Sequence, residues 1–242
     1  MMNHPTTVVL LDLDGTLTKS DTGILSSAIR TYRKLGRPVP TEAELSTFVG
    51  PPLIESFSNH GLSDCADQAV ALYREAYTKP TFDDPLNPGG EKIPGMFLNE
   101  VYPGIREAMA ELRRRGYFLA LATCKPEPQA RKICDRFKLT ELMDGLFGAS
   151  LDNTRIHKAQ VIRYGFDAIH FDEEEGDRAV MVGDRWTDVD GGHYAGVKSI
   201  GCRWGFSVPG ELETHGADMI IDTVGELPDA VDRFFETIEP AR

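Results

Sequence analysis

The sequence predicts an α/β protein in which a doubly wound parallel sheet carries an inserted all-helical domain. Apolar runs without polar alternation, such as Val8–Leu11, suit strands that are covered on both faces. After Val101, further runs of this kind alternate with helical patterns, as in parallel α/β sheets. Residues 18–100 contain no strong strand candidate. We therefore expect a core domain from residues 1–17 and 101–242, interrupted by the helical domain.

The inserted segment is predicted to contain three helical regions and one long loop. Helical spacing of apolar residues covers 23–36, 41–50 and 64–79, with glycines at the ends of the patterns. Residues 80–95 are rich in proline and glycine, which excludes a regular helix or a central strand. A loop of this length in a compact protein is usually functional, mobile or part of an interface.

The core elements follow in alternation after residue 101. Helices are predicted at 102–116, 126–139, 158–169 and 225–238, and strands at 117–123, 145–150, 178–184, 198–205 and 217–222. Pro103 near the start of the first helix and Gly116 after its end fit the usual preferences at helix termini.

Composition narrows the range of partners and compartments. The net charge of -12 and the pI of about 5.0 disfavour nucleic acid and anionic membranes, which attract clustered Lys and Arg. The four cysteines form no C-x-x-C pair, which disfavours a disulfide framework or a zinc site. No signal-like segment or bilayer-length apolar stretch is present. We expect a cytoplasmic protein that binds neither nucleic acid nor membrane.

Polar residues follow three of the predicted strands. Asp12 and Asp14 end the first, Thr123 the second and Asp184 the third. Ligands of open parallel sheets bind beyond the carboxyl ends of the strands, so these side chains are expected to meet. Asp12 and Asp14 point the same way on an extended chain and repel each other unless a cation lies between them. An all-oxygen site of this kind is typical of Mg²⁺.

Four motifs in this order resemble the haloacid dehalogenase superfamily. They are DLDGT at Asp12–Thr16, Thr123 in LATCKP, Lys158 in RIHKAQVI, and GDRWTD at Gly183–Asp188. Within the superfamily, the chain resembles the phosphoglycolate phosphatase-like branch, whose Rossmann-like core carries a helical cap after the first motif. GPPL at Gly50–Leu53 is similar to the 5'-nucleotidase-like branch.

The resemblance implies a role for each acidic residue. Asp12 would attack phosphorus to give a phosphoaspartate, and Asp14 would act first as general acid and then as general base. Mg²⁺ would be held by Asp12, the backbone carbonyl of Asp14, and Asp184. Asp188 would hold metal-bound water or steady Lys158.

The resemblance also implies phosphate and substrate contacts. The phosphate would be bound by Leu13, Thr123, Cys124 and Lys158, with Cys124 acting through its backbone amide and Lys158 through its ammonium. Candidate contacts for the remainder of the substrate, near the cap, are Lys19, Gly50, Pro51 and Lys125.

These roles predict a Mg²⁺-dependent phosphatase acting on a small phosphorylated metabolite, either phosphoglycolate-like or a nucleoside monophosphate. A monomer or homodimer is expected. Asp14 disfavours dehalogenation, because a departing halide needs no proton. Phosphonate hydrolysis, with Lys19 or, as the less favoured choice, Lys34 as the cap lysine, and a sugar phosphomutase on the same core stay open. A protein that binds phosphate without turnover is a further alternative.

Overall fold

A computed structural model describes residues 6–238, and the chain divides into two compact units. One unit ends at Leu17 and resumes at Val101, and the other comprises Thr18–Glu100. The strands are β1 Thr7–Leu11, β2 Thr18–Lys19, β3 Glu100–Val101, β4 Phe118–Pro126, β5 Gly145–Ala149, β6 Arg178–Gly183, β7 Lys198–Cys202 and β8 Met219–Ile221. The α-helices are α1 Asp21–Lys34, α2 Glu42–Ser46, α3 Leu53–Phe57, α4 Ala66–Thr78, α5 Ile105–Arg114, α6 Glu127–Arg136, α7 Lys158–Ile169, α8 Trp186–Tyr194, α9 Glu211–Thr214 and α10 Leu227–Thr237.

Six strands form one parallel sheet in the order β5-β4-β1-β6-β7-β8. The chain moves outward from β1 through β4 to β5, and then returns to the other side of β1 and moves outward through β7 to β8. The strand order therefore reverses between β1 and β6, which is where such sheets bind ligands at their carboxyl edge. The predicted fold class is confirmed.

The central strand β1 is buried on both faces. Val8 and Leu10 join an apolar cluster that includes Val161 and Ile162 of α7. Val9 and Leu11, which point to the other face, are equally inaccessible to solvent. Successive strand residues point to opposite faces, so each face of β1 is covered. This double coverage explains why the strand lacks polar alternation.

The unit Thr18–Glu100 is mainly helical and has its own aromatic core. The Phe48 and Phe57 rings lie 5.3 Å apart, and the Tyr73 and Tyr77 rings are stacked at 5.3 Å. The Tyr32 hydroxyl donates a hydrogen bond of 2.8 Å to the His60 carbonyl. Only the short β2 and the first residue of β3 depart from the predicted absence of strands in this segment.

Segment 80–95 contains no extended strand apart from one antiparallel bridge, and no helix before Gly95, where a short 3₁₀-helix begins. The Phe82 amide donates to the Ile93 carbonyl at 3.0 Å, and the Ile93 amide returns a bond of 2.8 Å. Gly95 then lies against α1, where a Cβ on Gly23 would approach the Gly95 carbonyl oxygen to 2.1 Å. The loop thus closes on itself and ends at a close backbone contact.

Three core elements differ from the predicted set. Helix α8 was not predicted, because adjacent glycines and two aspartates interrupt its apolar stripe, and the four-residue helix α9 was not predicted either. Strand β4 continues past Thr123 to Pro126 and changes register against β5 within that extension. Among residues 6–238, no helix combines the length and apolar character that crossing a membrane requires.

Candidate active site

Asp12 lies directly beyond the carboxyl end of β1. Its amide donates a hydrogen bond of 3.0 Å to the Val182 carbonyl of β6, which continues the sheet pairing one residue past the strand. The residue is only 8% exposed. The backbone pairing therefore fixes Asp12 at the point where the strand order reverses.

Lys158 is the first residue of α7 and connects three elements of the site. Its Nζ lies 2.8 Å from Asp12 Oδ1 and 2.8 Å from Asp188 Oδ1. The ammonium also donates to the Ala122 carbonyl of β4 at 2.7 Å. Burial alone would lower the pKa of Lys158, but Asp12 and Asp188 outweigh burial and raise it above its ordinary value. Lys158 is therefore buried and carries its charge at neutral pH.

Asp184 follows β6 and is completely buried. Its Oδ1 accepts a hydrogen bond of 3.1 Å from the Thr16 hydroxyl, and its Oδ2 accepts one of 2.7 Å from the Phe206 amide. Burial and the nearby Asp188 carboxylate raise the pKa of Asp184 well above its ordinary value, against the effect of these hydrogen bonds.

Asp12, Asp184 and Asp188 form a buried cluster in which one carboxylate oxygen from each residue lies within 4.8 Å of the others. Burial raises the pKa of Asp188 to about 6, although Lys158 opposes the shift. Asp14 adds a fourth carboxylate, and Lys125 and Lys158 supply two ammonium groups, so these residues carry a formal excess of two negative charges. Buried like charges with oxygen donors suit a divalent cation.

Two glycines allow the close approach of backbone to Asp184. Gly15 has φ +90°, and a Cβ there would lie 2.1 Å from Asp184 Oδ2. A Cβ on Gly205 would lie 2.3 Å from the Asp184 Cβ. The carboxylate is therefore enclosed by two segments that have no room for a side chain.

Gly15→Ala is expected to displace the Asp184 carboxylate and destabilise the protein by about 1–3 kcal/mol, because both the φ angle and the Cβ contact are unfavourable. Thermal unfolding of the variant measures the loss. Gly36→Ala is the matched control, because Gly36 also has a positive φ of 63° but a Cβ there meets no atom within 4 Å. Equal melting temperatures for the two variants would contradict a specific contact with Asp184.

Asp14 is paired with a lysine of β4. Lys125 Nζ lies 2.7 Å from Asp14 Oδ2, and both side chains are largely buried. Lys125 was expected to contact the substrate near the cap, and the structure places its ammonium on the Asp14 carboxylate. The third side-chain carboxylate of the buried cluster is that of Asp188. The expected metal contact of Asp14, through its backbone carbonyl, stays a prediction.

The other predicted phosphate-binding residues lie on β4 and just after β1. Thr123 is 2% exposed, and its hydroxyl accepts a hydrogen bond of 3.2 Å from the Lys125 amide, which leaves the hydroxyl proton to be donated. The Leu13 side chain is buried, and its carbonyl accepts from the Leu17 amide. Burial raises the pKa of Cys124 to about 12, so its thiol stays protonated near neutral pH.

Three of the candidate substrate contacts belong to the helical unit. Lys19 lies on β2 with its Nζ 3.8 Å from Glu100 Oε1, and about half of its side chain is exposed. Gly50 has φ +110°, and Pro51 follows it two residues before the start of α3.

Sequence reasoning missed three contributors to the site. The Trp204 indole donates a hydrogen bond of 3.0 Å to the Thr16 carbonyl, and the Phe206 amide binds Asp184. Thr16 was visible in the first motif but received no role. Trp204 and Phe206 follow β7 and lie outside the four motifs. Trp204 acts through its indole N–H on a backbone carbonyl, and Phe206 acts through its backbone amide, so no motif points to either residue.

Comparisons with known proteins identify relatives of the chain. A family described as haloacid dehalogenase-like hydrolase matches residues 9–202. The tyrosine-protein kinase PtkA of Mycobacterium tuberculosis is 34% identical over 227 residues, which is 93% of this chain and 72% of the kinase. A 5'-nucleotidase of Pseudomonas aeruginosa is 35% identical over 209 residues, which is 86% of this chain and 87% of the nucleotidase.

A solved structure agrees with these matches. The crystal structure of a predicted phosphatase from Clostridium acetobutylicum superposes on this chain with a TM-score of 0.83 and 34% sequence identity. The match covers 95% of this chain and 100% of the phosphatase chain. The family match spans most of the chain and includes the residues from Asp12 to Asp188 described above. The chain therefore belongs to the haloacid dehalogenase-like hydrolase family.

Proposed function

We propose that this protein is a Mg²⁺-dependent phosphatase that hydrolyses a small phosphomonoester through a phosphoaspartate on Asp12, in the cytoplasm and as a monomer or homodimer. The observation that carries the proposal is the buried Asp12 carboxylate, paired with Lys158 and clustered with Asp184 and Asp188. The 5'-nucleotidase relative and the phosphatase neighbour support this reaction class.

Asp12 is the proposed nucleophile. A carboxylate attacks phosphorus without first losing a proton, and the covalent intermediate divides hydrolysis into two easier steps. Lys158 contacts Asp12 at 2.8 Å, so the same ammonium aligns the nucleophile and offsets the charge of an arriving phosphate. The Thr123 hydroxyl is proposed to donate a hydrogen bond to a phosphate oxygen, as are the backbone amides of Leu13 and Cys124.

Asp14 is the proposed acid–base group. Its carboxylate is 14% exposed and lies two residues beyond the nucleophile, so it shares the same strand end. In the first step it gives a proton to the leaving oxygen, and in the second it takes one from water.

Mg²⁺ is the proposed cofactor, with Asp12, the backbone carbonyl of Asp14, and Asp184 as ligands. When bound, it would neutralise charge on the phosphate during transfer. Asp188 accepts from the Arg185 amide at 3.0 Å and pairs with Lys158, so its proposed role is to steady Lys158 and orient the cluster.

Chelation of divalent metal is expected to reduce turnover to background, and added Mg²⁺ to restore it. Mg²⁺ is also expected to raise the melting temperature, because a bound cation relieves repulsion among the buried carboxylates. Activity assays and thermal unfolding with and without EDTA measure both effects. Asp184→Asn is expected to remove most of the Mg²⁺-dependent rise. Full activity in EDTA would contradict the proposal.

Substrate choice is proposed to reside in the helical unit, with Lys19, Gly50 and Pro51 among its determinants. A panel of phosphoglycolate, nucleoside monophosphates, sugar phosphates and pyrophosphate tests the substrate class. Lys19→Asp and a deletion within 80–95 test these segments with the same panel. Unchanged substrate preference in both variants would show that neither Lys19 nor the 80–95 segment selects the substrate.

A second candidate function is transfer of a phosphoryl group to a protein tyrosine. The similarity to the tyrosine-protein kinase PtkA favours it, and the same Asp12 would serve if the acceptor were a phenol instead of water. Incubation with γ-labelled ATP and a tyrosine-containing protein distinguishes the two. Label transferred to tyrosine without release of inorganic phosphate would support the kinase and contradict the phosphatase.

A further inference from the structure

We propose that Lys125 is a positioning residue that holds Asp14 by one carboxylate oxygen and so presents the other oxygen to the leaving group. This inference rests on the proposed phosphatase function. It assigns to Lys125 a role that acts through Asp14 and differs from direct contact with substrate.

The ion pair is asymmetric. Lys125 Nζ lies 2.7 Å from Asp14 Oδ2, with side-chain exposures of 6% for the lysine and 14% for the aspartate. Asp14 Oδ1 is buried and accepts no hydrogen bond from residues 6–238. A buried carboxylate oxygen without a donor costs free energy, so its retention points to a use during the reaction.

An irregularity in β4 carries Lys125 to this position. Thr123 pairs with Gly148 of β5, and the next pair is Pro126 with Ala149. Between these two pairs β4 advances by three residues while β5 advances by one. The two extra residues, Cys124 and Lys125, form a bulge. Bulges beside active sites commonly redirect a side chain.

The backbone of the bulge is fixed from two sides. The Lys125 amide donates to the Thr123 hydroxyl at 3.2 Å. On the other side, a Cβ on Gly148 would lie 2.8 Å from the Lys125 carbonyl oxygen and 2.6 Å from the Glu127 Cα. Glycine at position 148 therefore lets β5 pack directly against the bulge.

The position of Asp14 matters when the ester bond breaks. When Asp12 attacks phosphorus, the bond from phosphorus to the ester oxygen breaks, and its electron pair stays on that oxygen. An alkoxide then takes a proton from Asp14, whereas p-nitrophenolate leaves without one. Positioned general acids contribute about 10²–10⁴-fold, and this contribution depends on the carboxyl group being held within hydrogen-bond reach. Lys125 supplies that restraint.

The test compares kcat/KM of Lys125→Met on two substrates, because kcat/KM covers the steps up to cleavage of the ester bond. The substrates are p-nitrophenyl phosphate and the alkyl phosphate that wild type hydrolyses fastest in the panel. We expect a loss of about 10²-fold on the alkyl phosphate and under about 5-fold on the aryl phosphate. Lys125→Arg is expected to recover most of the alkyl activity, because it retains a cation that pairs with carboxylate.

Asp14→Asn provides the second measurement. It should show the same selective loss on the alkyl phosphate, and adding Lys125→Met to it should leave the alkyl-to-aryl ratio unchanged. Equal losses on both substrates, no loss on either, or a further change of the ratio in the double variant would overturn the role of Lys125. A wild-type protein that hydrolyses neither class would instead overturn the proposed function.

Discussion

Asp12→Asn is expected to reduce turnover of p-nitrophenyl phosphate by at least about 10⁴-fold, as removal of a nucleophile does in other covalent mechanisms. The amide that replaces the carboxylate does not form the acyl phosphate. The variant is expected to stay folded for two reasons. Lys158 keeps its ion pair with Asp188, at 2.8 Å, and the substitution removes one of the clustered negative charges. Steady-state kinetics and thermal unfolding measure the two effects.

A matched control separates loss of the nucleophile from loss of charge. Asp67→Asn makes the same chemical change at an exposed position of α4 and is expected to leave turnover unchanged. If Asp12→Asn kept more than a few per cent of wild-type activity, Asp12 would not be the nucleophile.

Lys158→Met is expected to abolish turnover and also to destabilise the fold by about 3–5 kcal/mol when divalent metal is absent, because it leaves buried carboxylates without their cation. Mg²⁺ is expected to recover part of this stability but not the activity, since the phosphate would still lack its ammonium partner. Denaturant unfolding with and without Mg²⁺, followed by kinetics, provides the comparison.

Lys132→Met is the control for this second prediction. Lys132 lies on an exposed face of α6, so its replacement should change the free energy of unfolding by less than about 0.5 kcal/mol. A Lys158→Met variant as stable as the Lys132→Met variant in metal-free buffer would show that the buried pairs contribute little.

Much of the architecture was accessible from the sequence because the strands are apolar on both faces and end in chemically distinctive residues. Helix α7 begins at Lys158 as predicted, and Asp12 and Asp184 follow β1 and β6 as predicted. Parallel strands that end in aspartate constrain where those side chains meet, because all carboxyl ends lie along one edge of the sheet.

The remaining features depend on backbone geometry that residue patterns do not encode. The bulge that carries Lys125 to Asp14 comes from the register between β4 and β5. The amide of Phe206 binds Asp184 whatever side chain the residue carries. Asp188 was expected to support the site, and only the fold shows that its carboxylate lies in the same cluster as Asp12.

The proposed mechanism requires transfer of a phosphoryl group to Asp12, and chemical trapping tests this step directly. During turnover of p-nitrophenyl phosphate the protein is denatured rapidly and reduced with borohydride, which converts an aspartyl phosphate to homoserine. We expect homoserine at position 12, found by mass spectrometry of the peptide, and none in Asp12→Asn. Homoserine at another aspartate, or none at position 12 in protein denatured during rapid turnover at saturating substrate, would contradict phosphoryl transfer to Asp12.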